Sequence, residues 1–104
     1  MPLKGWHPPD VRPFAHEELA VTNAGEVPLA GPQGALRRFD FAWIEIEGGP
    51  VRMWYDGTAP TTTAGHFWTP GQSDILTFLE VAQLLVIATT AVAATVRATY
   101  YRLQ

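Results

Sequence analysis

The sequence predicts an all-β protein: an antiparallel two-sheet sandwich of jelly-roll or Greek-key type, with an extended N-terminal arm. Three observations carry this. Leu36 to Glu47 (LRRFDFAWIEIE) places apolar residues at period two over a strand's length. Ala94 to Arg102 (ATVRATYYR) alternates again, with Val96, Ala98 and Tyr100 on one face and Thr95, Arg97, Thr99 and Tyr101 on the other. Between them, residues 51–70 read as a strand, a Thr/Pro/Gly loop ending Ala64-Gly65-His66, and a return strand.

The elements follow in order. Residues 1–16 read as an arm, because Pro2, Pro8, Pro9 and Pro13 remove backbone donors and favour extended geometry. Trp6 and Phe14 stand in it as aromatic anchors, to dock on a neighbouring molecule or on the domain's own flank. Residues 17–104 form the sandwich domain. Glu18 to Thr22 is a short strand closed by Asn23-Ala24-Gly25. Glu26 to Ala30 is a second short piece, and Pro28 confines it to an edge.

In Leu36 to Glu47, Phe39, Phe41 and Trp43 share one face, and Ala42, Ile44 and Ile46 share the other. Either a bulge shifts the parity near Trp43 or both faces are covered. Gly48-Gly49-Pro50 predicts a tight hairpin that pairs this strand with Val51 to Asp56. Two short strands, His66 to Thr69 and Ser73 to Leu79, flank Pro70-Gly71-Gln72, and a turn or single helical turn follows at Glu80 to Gln83. Leu84 to Thr89 is a continuous apolar run, consistent with a strand buried on both faces.

Composition bounds the function. A chain of 104 residues fits one domain with a thin core. Charged residues make up 16%, against about 25% in average chains, so much of the surface is neutral, either covered by other subunits or supplied by solvated Thr, Gly and Pro. The net charge of −3 and the absence of a basic run argue against a nucleic-acid partner. With no cysteine there is neither a disulfide nor a thiol nucleophile. The first ten residues lack the apolar core of a signal peptide. Ile75 to Val96 is about as long as a membrane span, but Glu80, Gln83 and four threonines interrupt it. Two buried strands joined by a turn account for the same residues, so no membrane partner is expected.

No constellation for catalysis stands out. His7, His16 and His66 lie at no metal-ligand spacing, and neighbouring residues of His16-Glu17-Glu18 point to opposite faces of a strand. His66 is expected to hold the loop to the domain by a hydrogen bond. Ser73, the only serine, has no nucleophile elbow around it. Glu45 and Glu47 share a strand face and read as a solvated strand end. Trp43, Trp54 and Trp68 invite a sugar-stacking reading, set against ordinary core or interface packing. No enzyme activity, metal or cofactor is expected. The residues expected at a partner interface are Trp6, Phe14, Phe39, Phe41, Trp43 and Trp54.

Over roughly residues 35–102 a diffuse motif made largely of turn residues runs along the chain. A strand runs into Gly-Pro-Val-Arg-Met-Trp-Tyr-Asp-Gly (49–57); Pro60-Thr61, Gly65-His66 and Pro70-Gly71 follow; an apolar strand leads to the terminal Thr95-Val96-Arg97-Ala98-Thr99-Tyr100-Tyr101. This pattern resembles small virion structural proteins from the head and tail gene blocks of tailed bacteriophages. The resemblance implies a capsid decoration (cement) protein. Its partners would be the major capsid protein or other virion proteins and further copies of itself, and its location the virion, after assembly in the host cytoplasm. A tail or head–tail junction protein is the alternative within that class. A carbohydrate-binding module, and then a small holin-like membrane protein, are the alternatives outside it.

Overall fold

A computed structural model describes residues 11–31 and 38–103, with only the backbone of Val11. Strands dominate it: β1 (Val11–Val21), β2 (Phe41–Glu47), β3 (Val51–Trp54), β4 (His66–Trp68), β5 (Ser73–Thr77), β6 (Leu85–Ala88) and β7 (Ala94–Leu103), with one short helix, α1 (Phe78–Ala82). They form two antiparallel sheets, one in the order β1-β7-β2-β5 and the other β4-β3-β6. An isolated bridge between Val27 and Val86 extends the second sheet at its β6 edge, with reciprocal backbone bonds of 2.9 and 3.0 Å. Pro28 follows at once, so the pairing stops there, as expected for an edge.

The pairings are nested: β1 with β7, Val27 with β6, β2 with β5, and β3 with β4. Of these segments, only β3 and β4 follow each other within one sheet; every other connection crosses between sheets.

Alternation decides which residues fill the space between the sheets. From the first sheet Val21, Ala42, Ile44, Ile46, Leu76, Val96, Ala98 and Tyr100 point inward; from the second come Val51, Met53, Trp68, Val86 and Ala88. These side chains form one core cluster, and at about 25 cal/mol per Å² of apolar surface their burial is the main term holding the sheets together.

Three expectations are corrected. Gly48-Gly49-Pro50 does not close a hairpin: β2 and β3 belong to different sheets, and the turn carries the chain across the core. Gly48 adopts φ +92°, and Gly49 sits so close to the Val92 carbonyl that a Cβ would lie 2.7 Å from it. The turn is thus packed against the loop that carries β6 into β7.

The parity change in the Leu36 to Glu47 stretch falls at Asp40, not near Trp43. Phe39 turns inward before β2 begins, while Ala42, Ile44 and Ile46 form the buried face throughout β2. Residues 36 and 37 lie outside the described residues.

The last six residues of the stretch expected as an arm, 11–16, lie in a strand. Val11 to His16 belong to β1, an edge strand paired to β7. Pro13 is tolerated there because an edge strand has one unpaired side, and the register slips by one residue at Phe14. Residues 1–10, including Trp6, lie outside the described residues.

The Ile75 to Val96 stretch divides among β5, α1, β6 and the start of β7. Among the described residues no helix is long and apolar enough to cross a membrane. α1 starts with a capping box in which the Glu80 amide donates to Thr77 Oγ1 (3.3 Å) and the Thr77 amide donates to Glu80 Oε1 (2.8 Å).

Candidate interaction surfaces

The outward face of the β1-β7-β2-β5 sheet is built in rows by the strand register. Pro13, Tyr101, Phe41 and Thr77 make the first row, and His16, Thr99, Trp43 and Ile75 the second. Glu18, Arg97, Glu45 and Ser73 make the third. One half of the face is therefore aromatic and the other charged. Phe41 stacks on Tyr101, ring centroids 4.9 Å apart and nearly parallel. That contact covers Tyr101, buried although it points away from the core. Trp43 remains half-buried, and Ile75 beside it is exposed.

In the charged half, Arg97 bonds to Glu18 (2.5 Å) and also to Glu47. The hydrogen bond from Arg97 holds the Glu47 carboxyl below the usual carboxylate range. Both partners are well exposed, so this network orders side chains more than it stabilises the fold. Glu45 is exposed and, among the described residues, makes no ion pair.

The opposite face of the molecule, the outside of the β4-β3-β6 sheet, carries Arg52, Trp54, Phe67 and Leu85. The Arg52 guanidinium lies 4.9 Å from the centre of the Phe67 ring, a cation–π contact, and donates to the Gly65 carbonyl (2.8 Å). Arg52 thus ties the Thr-rich loop to the sheet, the task expected of His66. The His66 ring instead stacks on Tyr55 and meets the edge of Trp54, each at 5.0 Å.

The expected interface residues therefore separate. Phe41 and Trp43 lie together on one outward face, and Trp54 lies on the other. Phe39 is a core residue, only 5% exposed, in contact with Phe78 and Tyr100. Phe14 packs partly against the core at the β1 register slip, its ring 4.1 Å from the Arg102 guanidinium carbon. Trp68 is in the core, Trp43 and Trp54 face opposite directions, and so the three tryptophans form no common platform.

Sequence reasoning missed Ile75, Phe67 and Tyr101 as surface-forming residues. Ile75 and Phe67 were visible as apolar residues on short strands, but their faces depended on strand partners that local pattern does not name. Among the described residues no group of three or more His, Asp or Glu side chains is placed to hold a metal ion. Comparison with protein families, with curated proteins and with solved structures returns no match to this chain.

Proposed function

We propose that the chain is a jelly-roll capsid decoration protein, non-enzymatic and acting by attachment. The observation that carries this reading is the nested pairing. With the Val27 segment counted as a strand, the layers run β1-β7-β2-β5 and Val27-β6-β3-β4. One long antiparallel ribbon, closed by the β3–β4 turn and wrapped around a core, gives this order, and that is the order a jelly-roll reading calls for. Viral capsid domains use this architecture, as do lectins and cupins, so the fold supports the virion reading by analogy.

The surfaces favour the structural member of that group. A rigid body with apolar side chains on two opposed faces can hold a neighbour on one side and a shell on the other. The separated tryptophans offer a sugar no shared stacking platform. Attachment would come from burying apolar area, multiplied over many copies.

The test is rebinding. Purified chain is added to particles stripped of it, and the pellet is assayed. Saturable binding, weakened by Trp54→Ala or Phe67→Ala in a chain with unchanged melting, supports the reading. Failure of the wild-type chain to cosediment with any particle form contradicts it.

A further inference from the structure

We propose that the aromatic half of the β1-β7-β2-β5 face receives the N-terminal segment, residues 1–10, of a second copy of this chain. Trp6 would lie against Trp43, Phe41 and Ile75, and Lys4 would pair with Glu45. This contact does not depend on the virion reading, because it joins identical chains.

The receiving side combines two features. Trp43 is half-buried beside exposed Ile75, so an apolar surface is open there. Glu45, two residues along the same strand face, is exposed and is left out of the Arg97 network that holds Glu18 and Glu47. Counting Glu18, Glu45 and Glu47 against Arg97, the charged half that adjoins the aromatic one carries excess negative charge. It therefore suits an extended segment with an apolar anchor and, two residues away, a cation.

The segment before Val11 has that pattern. In MPLKGWHPPD, Lys4 and Trp6 are two residues apart, with glycine between them. In an extended chain such side chains share a side at a spacing of about 7 Å, the same spacing that separates Trp43 from Glu45 along β2. The two strips match in chemistry and in repeat.

The length of the segment, its prolines and its attachment at Val11 favour a second copy over the chain's own face. Among the described residues the outermost pair of β1 and β7 is Val11 with Leu103. Pro8 and Pro9 favour extended geometry, and a fully extended stretch from Trp6 to Val11 would span about 16 Å at roughly 3.1 Å per residue. Reaching its own Trp43 would require a reversal within the residues where the prolines oppose one. The sheet edges do not offer an easier route to self-association. β1 is interrupted by Pro13 and its register slip, and on β5 the Ile75 amide is taken by Asp74 Oδ1 (2.7 Å).

Cross-linking tests this directly, since the native chain contains no cysteine. Lys4→Cys chains are mixed with Glu45→Cys chains and treated with a short thiol cross-linker. The expected product is a covalent dimer that forms only in the mixture and is largely lost when Trp6→Ala is added to the Lys4→Cys chain. Sedimentation gives the second readout. Glu45→Lys should weaken self-association by about tenfold or more, and adding Lys4→Glu should restore it. No cross-linked dimer, a dimer indifferent to Trp6→Ala, or no rescue by the charge swap would each overturn the proposal. So would a Lys4→Cys/Glu45→Cys chain that yields only cross-linked monomer, which would place the segment on its own face.

Discussion

The Tyr100 hydroxyl donates a 2.7 Å hydrogen bond to Glu17 Oε1, from the central strand of one sheet to its edge strand. The same carboxylate accepts the Ala30 amide at Oε2 (2.8 Å) and the Gly31 amide at Oε1 (3.0 Å). One inward-facing glutamate therefore holds both the core tyrosine and the segment that carries the chain from the Val27 bridge toward β2. Removing it takes the acceptor away from all three donors, one of them on a fully buried side chain.

Glu17→Ala is expected to lower stability by about 1–3 kcal/mol, and Tyr100→Phe by about 1 kcal/mol, in denaturant titrations. Hydrogen exchange should quicken at Ala30 and Gly31 in Glu17→Ala while the Val27–Val86 pair keeps its protection. Equal loss at both places would mean that the segment is not latched separately.

All three tyrosines resist ionisation. Burial, reinforced by the Glu17 carboxylate, pushes Tyr100 well above its ordinary range; burial also raises Tyr55 and Tyr101, each with smaller help from neighbouring carboxylates. A folded-state pKa raised above the unfolded value stabilises the protein fully below the unfolded pKa and loses that contribution as pH rises through the folded one. Stability should therefore hold up to about pH 10 and fall above it. Phenolate absorbance should appear with loss of the fold, not as a separate earlier titration. A full tyrosine titration at the ordinary position in the folded protein would contradict the burial.

The crossing between the sheets depends on Gly48 and Gly49. Gly48→Ala would force a side chain into the left-handed region and within 2.9 Å of the Ala93 carbonyl oxygen. A loss of about 2 kcal/mol or more is expected. Gly25→Ala is the control: nothing lies within 4 Å of the place its methyl group would take, so its melting should change little. If both substitutions are equally mild, the turn is not the tight crossing described above.

How much of this was legible in the sequence follows from what local pattern records. It gives faces: Val96, Ala98 and Tyr100 were readable as one side of β7, and they are fully or almost fully buried. It does not give partners. A Gly-Gly-Pro turn between alternating segments fits both a hairpin and a crossing, since Ile46, Val51 and Met53 point inward in either case. Pro13 reads as an arm residue because proline excludes a central strand, yet an edge strand accepts it. Phe39 has the parity of Phe41 but the environment of the core, because the backbone bends at Asp40 before β2 starts. The two opposed outward faces were hidden for the same reason: Trp43 and Trp54 acquire opposite directions only once β2 and β3 are assigned to different sheets.

The most direct test of the central claim is the copy number of this chain in purified virions of the replicon that encodes it, by quantitative mass spectrometry against the major capsid protein. A decoration protein should be present in many copies, at a fixed simple ratio to the capsid subunit. Absence from the particles would contradict the account. A small fixed number per particle would also contradict it, and would point to the tail or the head–tail junction instead.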